Sequence, residues 1–140
     1  MLNALGRTGV LLALVVLGLA GCGDNGRGEY IAQADRVCRD GMASASVPAA
    51  AAKDPHRQAR RAVGEFRDAL RRLSALEPPP ELRRDVRAYL ENARRHLELF
   101  ERATDVPDDA AQRLAASSST KRLNTRAAAL AERIGFKVCS

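Results

Sequence analysis

The 140-residue chain has no tryptophan, and its aromatic content of 4% comes from two tyrosines and three phenylalanines. Without large rings, a core has to be built from Leu, Val and Ala. Lysine is scarce as well: of 23 basic residues, only Lys53, Lys121 and Lys137 are not arginine. Two histidines, His56 and His96, leave little material for acid–base or metal chemistry. No segment alternates apolar and polar residues with period two, which argues against a sheet protein. A CxxC pair, a CxxCH haem attachment, a Glu-x-x-His element and a G-x-S-x-G elbow are all missing.

One long apolar run is present, at the start. Met1–Arg7 carries a cation and no acid, Gly9–Leu19 is an uncharged stretch of Leu, Val, Ala and Gly, and small Ala20 and Gly21 precede Cys22. That order is the n-region, h-region and cleavage site of a secretory signal. The run ends at Gly23-Asp24-Asn25, short of the roughly 20 apolar residues a bilayer core requires. Ordinary cleavage would leave Cys22 as a plain thiol, but Leu19-Ala20-Gly21-Cys22 resembles a lipobox, the cleavage and acylation signal of bacterial lipoproteins. The resemblance implies loss of residues 1–21, a thioether-linked diacylglycerol on Cys22, and a place on the extracytoplasmic face of the cell membrane. Two acyl chains anchor stably where one is marginal, since each buried methylene contributes ~0.8 kcal/mol. Residues 22–28, with Gly23, Gly26 and Gly28 among polar neighbours, read as a flexible tether ahead of a domain at 29–140.

Assigning Cys22 to lipid leaves Cys38 and Cys139 as a pair, and export to an oxidising compartment favours their disulfide. A redox or metal-binding pair would want closer spacing or a nearby histidine. Removing the signal leaves 119 residues, enough for one domain with a modest core. It also takes away Arg7, lowering the formal charge of +6 by one. A basic surface outside the cytoplasm suits anionic wall polymers or lipid headgroups, not nucleic acid.

Four segments carry helical periodicity. The first, 29–45, lines up Tyr30, Ala34, Val37, Cys38 and Gly41, and Ser44 to Asp54 reads as a loop ended by Pro55. In the second, 55–76, Ala59, Ala62, Val63, Phe66, Ala69, Leu70 and Leu73 form one face. Pro78-Pro79-Pro80 stops it and a third begins, 80–103, with Leu82, Val86, Tyr89, Leu90, Ala93, Leu97 and Phe100 assigned to the core. So short a connection makes the second and third an antiparallel hairpin. The fourth, 108–134, follows an acidic turn and keeps its period through Leu114, Leu123, Ala127, Leu130 and Ile134. Ser117-Ser118-Ser119-Thr120 favours caps over helix interiors and allows a break near 116–120. Gly135 suits a C-terminal cap, after which Phe136, Val138 and Cys139 fold back onto the core. The expectation is an all-α antiparallel bundle of about four helices, stapled by one disulfide.

The Tyr30-Ile31 start of the Cys38 helix, the Leu73-x-x-Leu76-x-Pro78-Pro79-Pro80-x-Leu82 connection and the terminal Gly135-Phe136-x-x-Cys139 resemble small helical lipoproteins of high-GC Gram-positive bacteria. The likeness runs from the lipobox to Cys139. It implies architecture and transfers no functional residue.

Chemistry is sparse in the remainder. His56 stands at a helix start and His96 flanks the apolar face of the third helix, in Ala93-Arg94-Arg95-His96, without a partner motif for metal. Carboxylates fall into i,i+4 pairs with arginine: Arg61–Glu65, Asp68–Arg72, Arg87–Glu91, Glu91–Arg95, Arg94–Glu98 and Glu98–Arg102. No catalytic residue, metal ligand or cofactor is nominated. On the second helix Arg60, Arg67 and Arg71 fall within roughly 40° of one another, a candidate contact for an anionic polymer or headgroup. The leading expectation is a non-catalytic, membrane-anchored module that binds an envelope protein or anionic polymer, leaving an exposed patch. The alternative is a bundle holding a small apolar ligand or metal, marked by a pocket of several hundred cubic ångströms.

Overall fold

The computed structural model describes residues 25–45 and 54–139. The expected signal at 1–21, the expected acylation residue Cys22 and residues 46–53 of the expected loop at 44–54 lie outside the described residues. Within them are five helices and no strand: α1 (Asn25–Ala45), α2 (Pro55–Ser74), α3 (Arg83–Thr104), α4 (Asp108–Ala115) and α5 (Ser118–Ile134). No helix among them is long and apolar enough to cross a membrane.

The expected fourth helix is two. Ser117 caps α5, its hydroxyl accepting the Thr120 N–H at 3.2 Å, while the Thr120 hydroxyl donates to Leu114 O at 2.9 Å. One short polar stretch thus satisfies the end of α4 and the start of α5, which is why the chain breaks there. At α2, Asp54 accepts the Arg57 N–H at 2.9 Å and Pro55 occupies the first turn. After it, the Leu82 N–H donates to Pro79 O at 2.9 Å in a turn, so α3 starts at Arg83 instead of Pro80.

α1 begins four residues earlier than the glycine content suggested, taking in 25–28 of the expected tether. Its anchor is Arg27, whose guanidinium donates to Arg133 O at 3.3 Å and Ile134 O at 3.1 Å at the end of α5. Those carbonyls have no partner within their own helix, so the contact serves both ends. Gly135 closes α5 in the left-handed region at φ 98°, with its N–H on Ala131 O.

α3 is central, packing against α2, α4 and α5, while α1 packs against α2. One core cluster joins Tyr30, Ala34 and Val37 of α1 to Leu73, Val86, Ile134 and Phe136; a smaller one joins Val63 and Leu70 of α2 to Leu97 of α3. Having neighbours on two sides, α3 also buries Asn92 and Leu99, outside its expected stripe. Asn92 donates to Leu123 O of α5 at 3.0 Å. Phe100, expected in the core, is 45% exposed.

The C-terminal segment is fastened to α1. Asp35, only 6% exposed, accepts the N–H groups of Lys137, Val138 and Cys139 at 3.0, 3.0 and 3.4 Å. Cys139 is bonded to Cys38, and its carbonyl accepts the Tyr89 hydroxyl at 2.6 Å. Of the anticipated same-helix pairs, Arg61–Glu65 and Glu91–Arg95 form, at 2.9 and 3.2 Å. Other arginines reach across instead: Arg72 meets Asp40 of α1 at 3.1 Å and Arg133 meets Asp85 of α3 at 3.3 Å. Asp68 pairs with Arg71 at 3.1 Å, not with Arg72.

Candidate functional site

Small side chains leave a gap between the helices. The face of α2 that carries Ala59, Ala62 and Phe66 looks across a groove of about 740 Å³ toward Ala103 and Phe100 of α3 and Ala111 and Ala115 of α4. Gly41 and Met42 of α1 form its other side, and Leu73, Tyr89, Val138 and the Cys38–Cys139 bridge make the floor. α1 comes close to α2 here because Gly41 has no side chain; a Cβ on it would stand 3.0 Å from that of Ala69. α4 buries no side chain of its own, so its alanines stay available to the groove.

The large exposed apolar residues among those described, Met42 at 51% and Phe100 at 45%, both line this groove. Phe100 meets Phe66 edge-on across it, ring centroids 5.9 Å apart, and stacks on His96 at 5.3 Å. Polar groups gather at one end. His56 Nε2 lies 3.6 Å from Asp108 Oδ1, spanning the N-termini of α2 and α4, with Thr104 and Gln112 beside them. The Thr104 hydroxyl is already committed to Glu101 O at 2.7 Å. The result is an apolar trough with a polar mouth.

His96 holds its Nε2 away from solvent with no hydrogen-bond partner among the described residues, and burial pushes its pKa below the usual imidazole value. It is therefore a neutral ring at neutral pH, acting as an aromatic support for Phe100. Neither histidine belongs to a group of three or more ligating side chains among the described residues.

Of the three arginines singled out on α2, two are engaged with carboxylates among the described residues and one is not. Arg67 is held by Glu101 of α3 at 2.6 Å and Arg71 by Asp68 at 3.1 Å. Arg60 stays exposed, close enough to Asp54 to help keep that carboxyl below its ordinary pKa, chiefly set by the Arg57 N–H. Cys38 and Cys139 are brought together at a Cα separation of 5.4 Å. The signals for the groove were present as alanines on α2, α3 and α4, but alanine at helical spacing reads equally well as close packing. Compared with known proteins, the chain matches no family model, no curated protein and no solved structure.

Proposed function

We propose that this chain is an extracytoplasmic lipoprotein, anchored through Cys22, whose helical body is a non-catalytic module binding a small apolar ligand in the α2–α3–α4 groove. The observation that carries the reading is the groove itself. Its volume of about 740 Å³ falls inside the ~300–1,000 Å³ typical of small-molecule sites. Its walls are mostly alanine, phenylalanine and aliphatic side chains, with His56, Asp108 and Gln112 confined to the mouth. Such a site recognises shape and apolar area along its length and hydrogen bonding only at one end. Two large apolar side chains stand exposed there, where a ligand would cover them. In the finer architecture, the five helices form an antiparallel bundle in which α4 is an edge piece.

The test uses a photoactivatable alkyl probe that cannot be enzymatically acylated, added to cells carrying the full chain. Crosslinks in the peptides holding Phe66, Phe100 and Ala111 are expected. Adducts scattered over the exposed arginine-rich faces would overturn the ligand-binding reading. The anchor is tested separately by a palmitate analogue: label should enter the wild type and be lost in Cys22→Ala.

A further inference from the structure

The opposite side of α3 carries a second groove, between α3 and α5, of about 860 Å³ and of contrary character. Arg95 and Arg102 line it from α3, and Lys121, Arg122 and Arg126 from α5, against a single acid, Glu98. Arg95 is paired with Glu91 at 3.2 Å and Arg122 donates to the Ser119 hydroxyl at 3.3 Å. Arg102, Lys121 and Arg126 have no side-chain partner among the described residues. The first turn of α5, at one end of this groove, holds no acidic residue to offset the helix's positive end.

We propose that the α3–α5 groove is a docking surface for a linear phosphate polymer. Its cations repeat along the groove instead of converging on one point. Arg95 and Arg102 are two turns apart on one face of α3, a rise of about 10 Å, and Arg122 and Arg126 are one turn apart on α5. An isolated phosphate meets only one such position, whereas a chain of phosphates meets several at once. Arginine favours phosphate because its planar fork donates two parallel hydrogen bonds to it. Each phosphate neutralised also releases a condensed counterion, which drives binding and makes it salt-dependent. The groove is separate from the apolar trough, and the proposal does not rest on a ligand being bound there.

The experiment uses the full chain reconstituted in neutral phosphatidylcholine nanodiscs and fluorescently labelled long-chain inorganic polyphosphate. Arg122→Glu/Arg126→Glu is compared with Arg60→Glu/Arg71→Glu, which changes net charge equally on α2; circular dichroism verifies that both fold. The α5 pair should weaken binding about tenfold or more and flatten its salt dependence, with the α2 pair staying within about twofold of wild type. Inorganic phosphate at equal phosphorus concentration should compete poorly. The proposal is overturned if wild type does not bind, if both pairs weaken it equally, or if inorganic phosphate competes as well as the polymer. It is also overturned if the Arg122 and Arg126 groove prefers phosphatidylglycerol vesicles to polyphosphate, since the partner is then a headgroup.

Discussion

Asp35 and Cys139 are hydrogen-bonded to each other, and a disulfide fastens Cys139 to the same helix a second time. The carboxylate accepts the Cys139 N–H at 3.4 Å, and the Cys139 sulfur is bonded to Cys38, three residues beyond Asp35 on the same helix. Together with the N–H groups of Lys137 and Val138, this makes a buried anion cradled by three consecutive amides. Asp35→Ala removes the acceptor and strands those donors, at a cost of about 2–3 kcal/mol in chemical denaturation of the oxidised protein. Asp35→Asn, which keeps one acceptor oxygen, should cost less. Equal stability of Asp35→Ala and wild type would remove this role.

The Cys38–Cys139 bridge spans a sequence separation of 101 residues. Constraining so long a loop in the unfolded chain is worth about 4–5 kcal/mol at most in the chain-entropy model. Reduction should therefore lower the denaturation midpoint by a large part of the stability of a small domain. In the native protein under non-reducing conditions, neither Cys38 nor Cys139 should react with an alkylating agent. Two alkylated thiols would contradict the bridge.

Gly135 terminates α5 at φ 98°, and a Cβ on it would come within 3.2 Å of Ile31 Cδ1. Gly135→Ala combines left-handed strain with that contact, and about 1–2 kcal/mol of stability should be lost. A neutral effect in thermal or chemical unfolding would show that the turn relaxes.

Features written in short-range pattern are legible in the sequence itself. The stripe Tyr30–Ala34–Val37 is buried, the Pro78–Pro80 connection breaks the helices, and Ser117–Thr120 makes a second break. The cysteine pairing followed from counting once Cys22 was set aside. What could not be read depends on residues far apart in sequence. Asp35 looks like one more exposed acid on α1 until the amides of residues 137–139 arrive beside it. Phe100 fits the period of α3, yet apart from the edge of Phe66 and the ring of His96 the groove around it is lined mainly by alanines of α2 and α4, so the ring stays exposed. The basic groove divides its arginines between α3 and α5, and nothing within either helix shows that the two sets line one groove.

If the trough takes an apolar ligand, filling it should abolish binding without unfolding the protein. Ala62 and Ala103 line it from α2 and α3, so Ala62→Phe and Ala103→Phe place rings into space already bounded by apolar atoms. Stability should change by no more than about 1 kcal/mol, because added apolar burial offsets lost side-chain freedom. Crosslinking by the alkyl probe should fall sharply in both variants. Undiminished labelling would place the probe elsewhere.

Alkaline pH should unfold the protein through its two tyrosines. Burial pushes Tyr30 up to about 12, and burial, with the negative charge of Asp35 and then Tyr30 nearby, pushes Tyr89 up to about 12. In the unfolded chain both ionise near about 10. Below that value the phenols are neutral in both states and contribute no pH dependence. Between about 10 and about 12 the unfolded state loses protons that the folded state retains, so stability falls as pH rises through this window. Because the chain has no tryptophan and no third tyrosine, tyrosinate absorbance reports these two groups alone. The native protein should show no ionisation near pH 10, then a steep rise coinciding with loss of helical circular dichroism. Denatured protein should titrate with an ordinary phenol curve. Tyr89→Phe keeps the ring on Phe136 while removing the hydroxyl that donates to Cys139 O. In that variant the alkaline slope should be shallower, and the neutral-pH stability lower by about 1 kcal/mol for the lost hydrogen bond. An unchanged alkaline slope in Tyr89→Phe would assign the transition to Tyr30 alone.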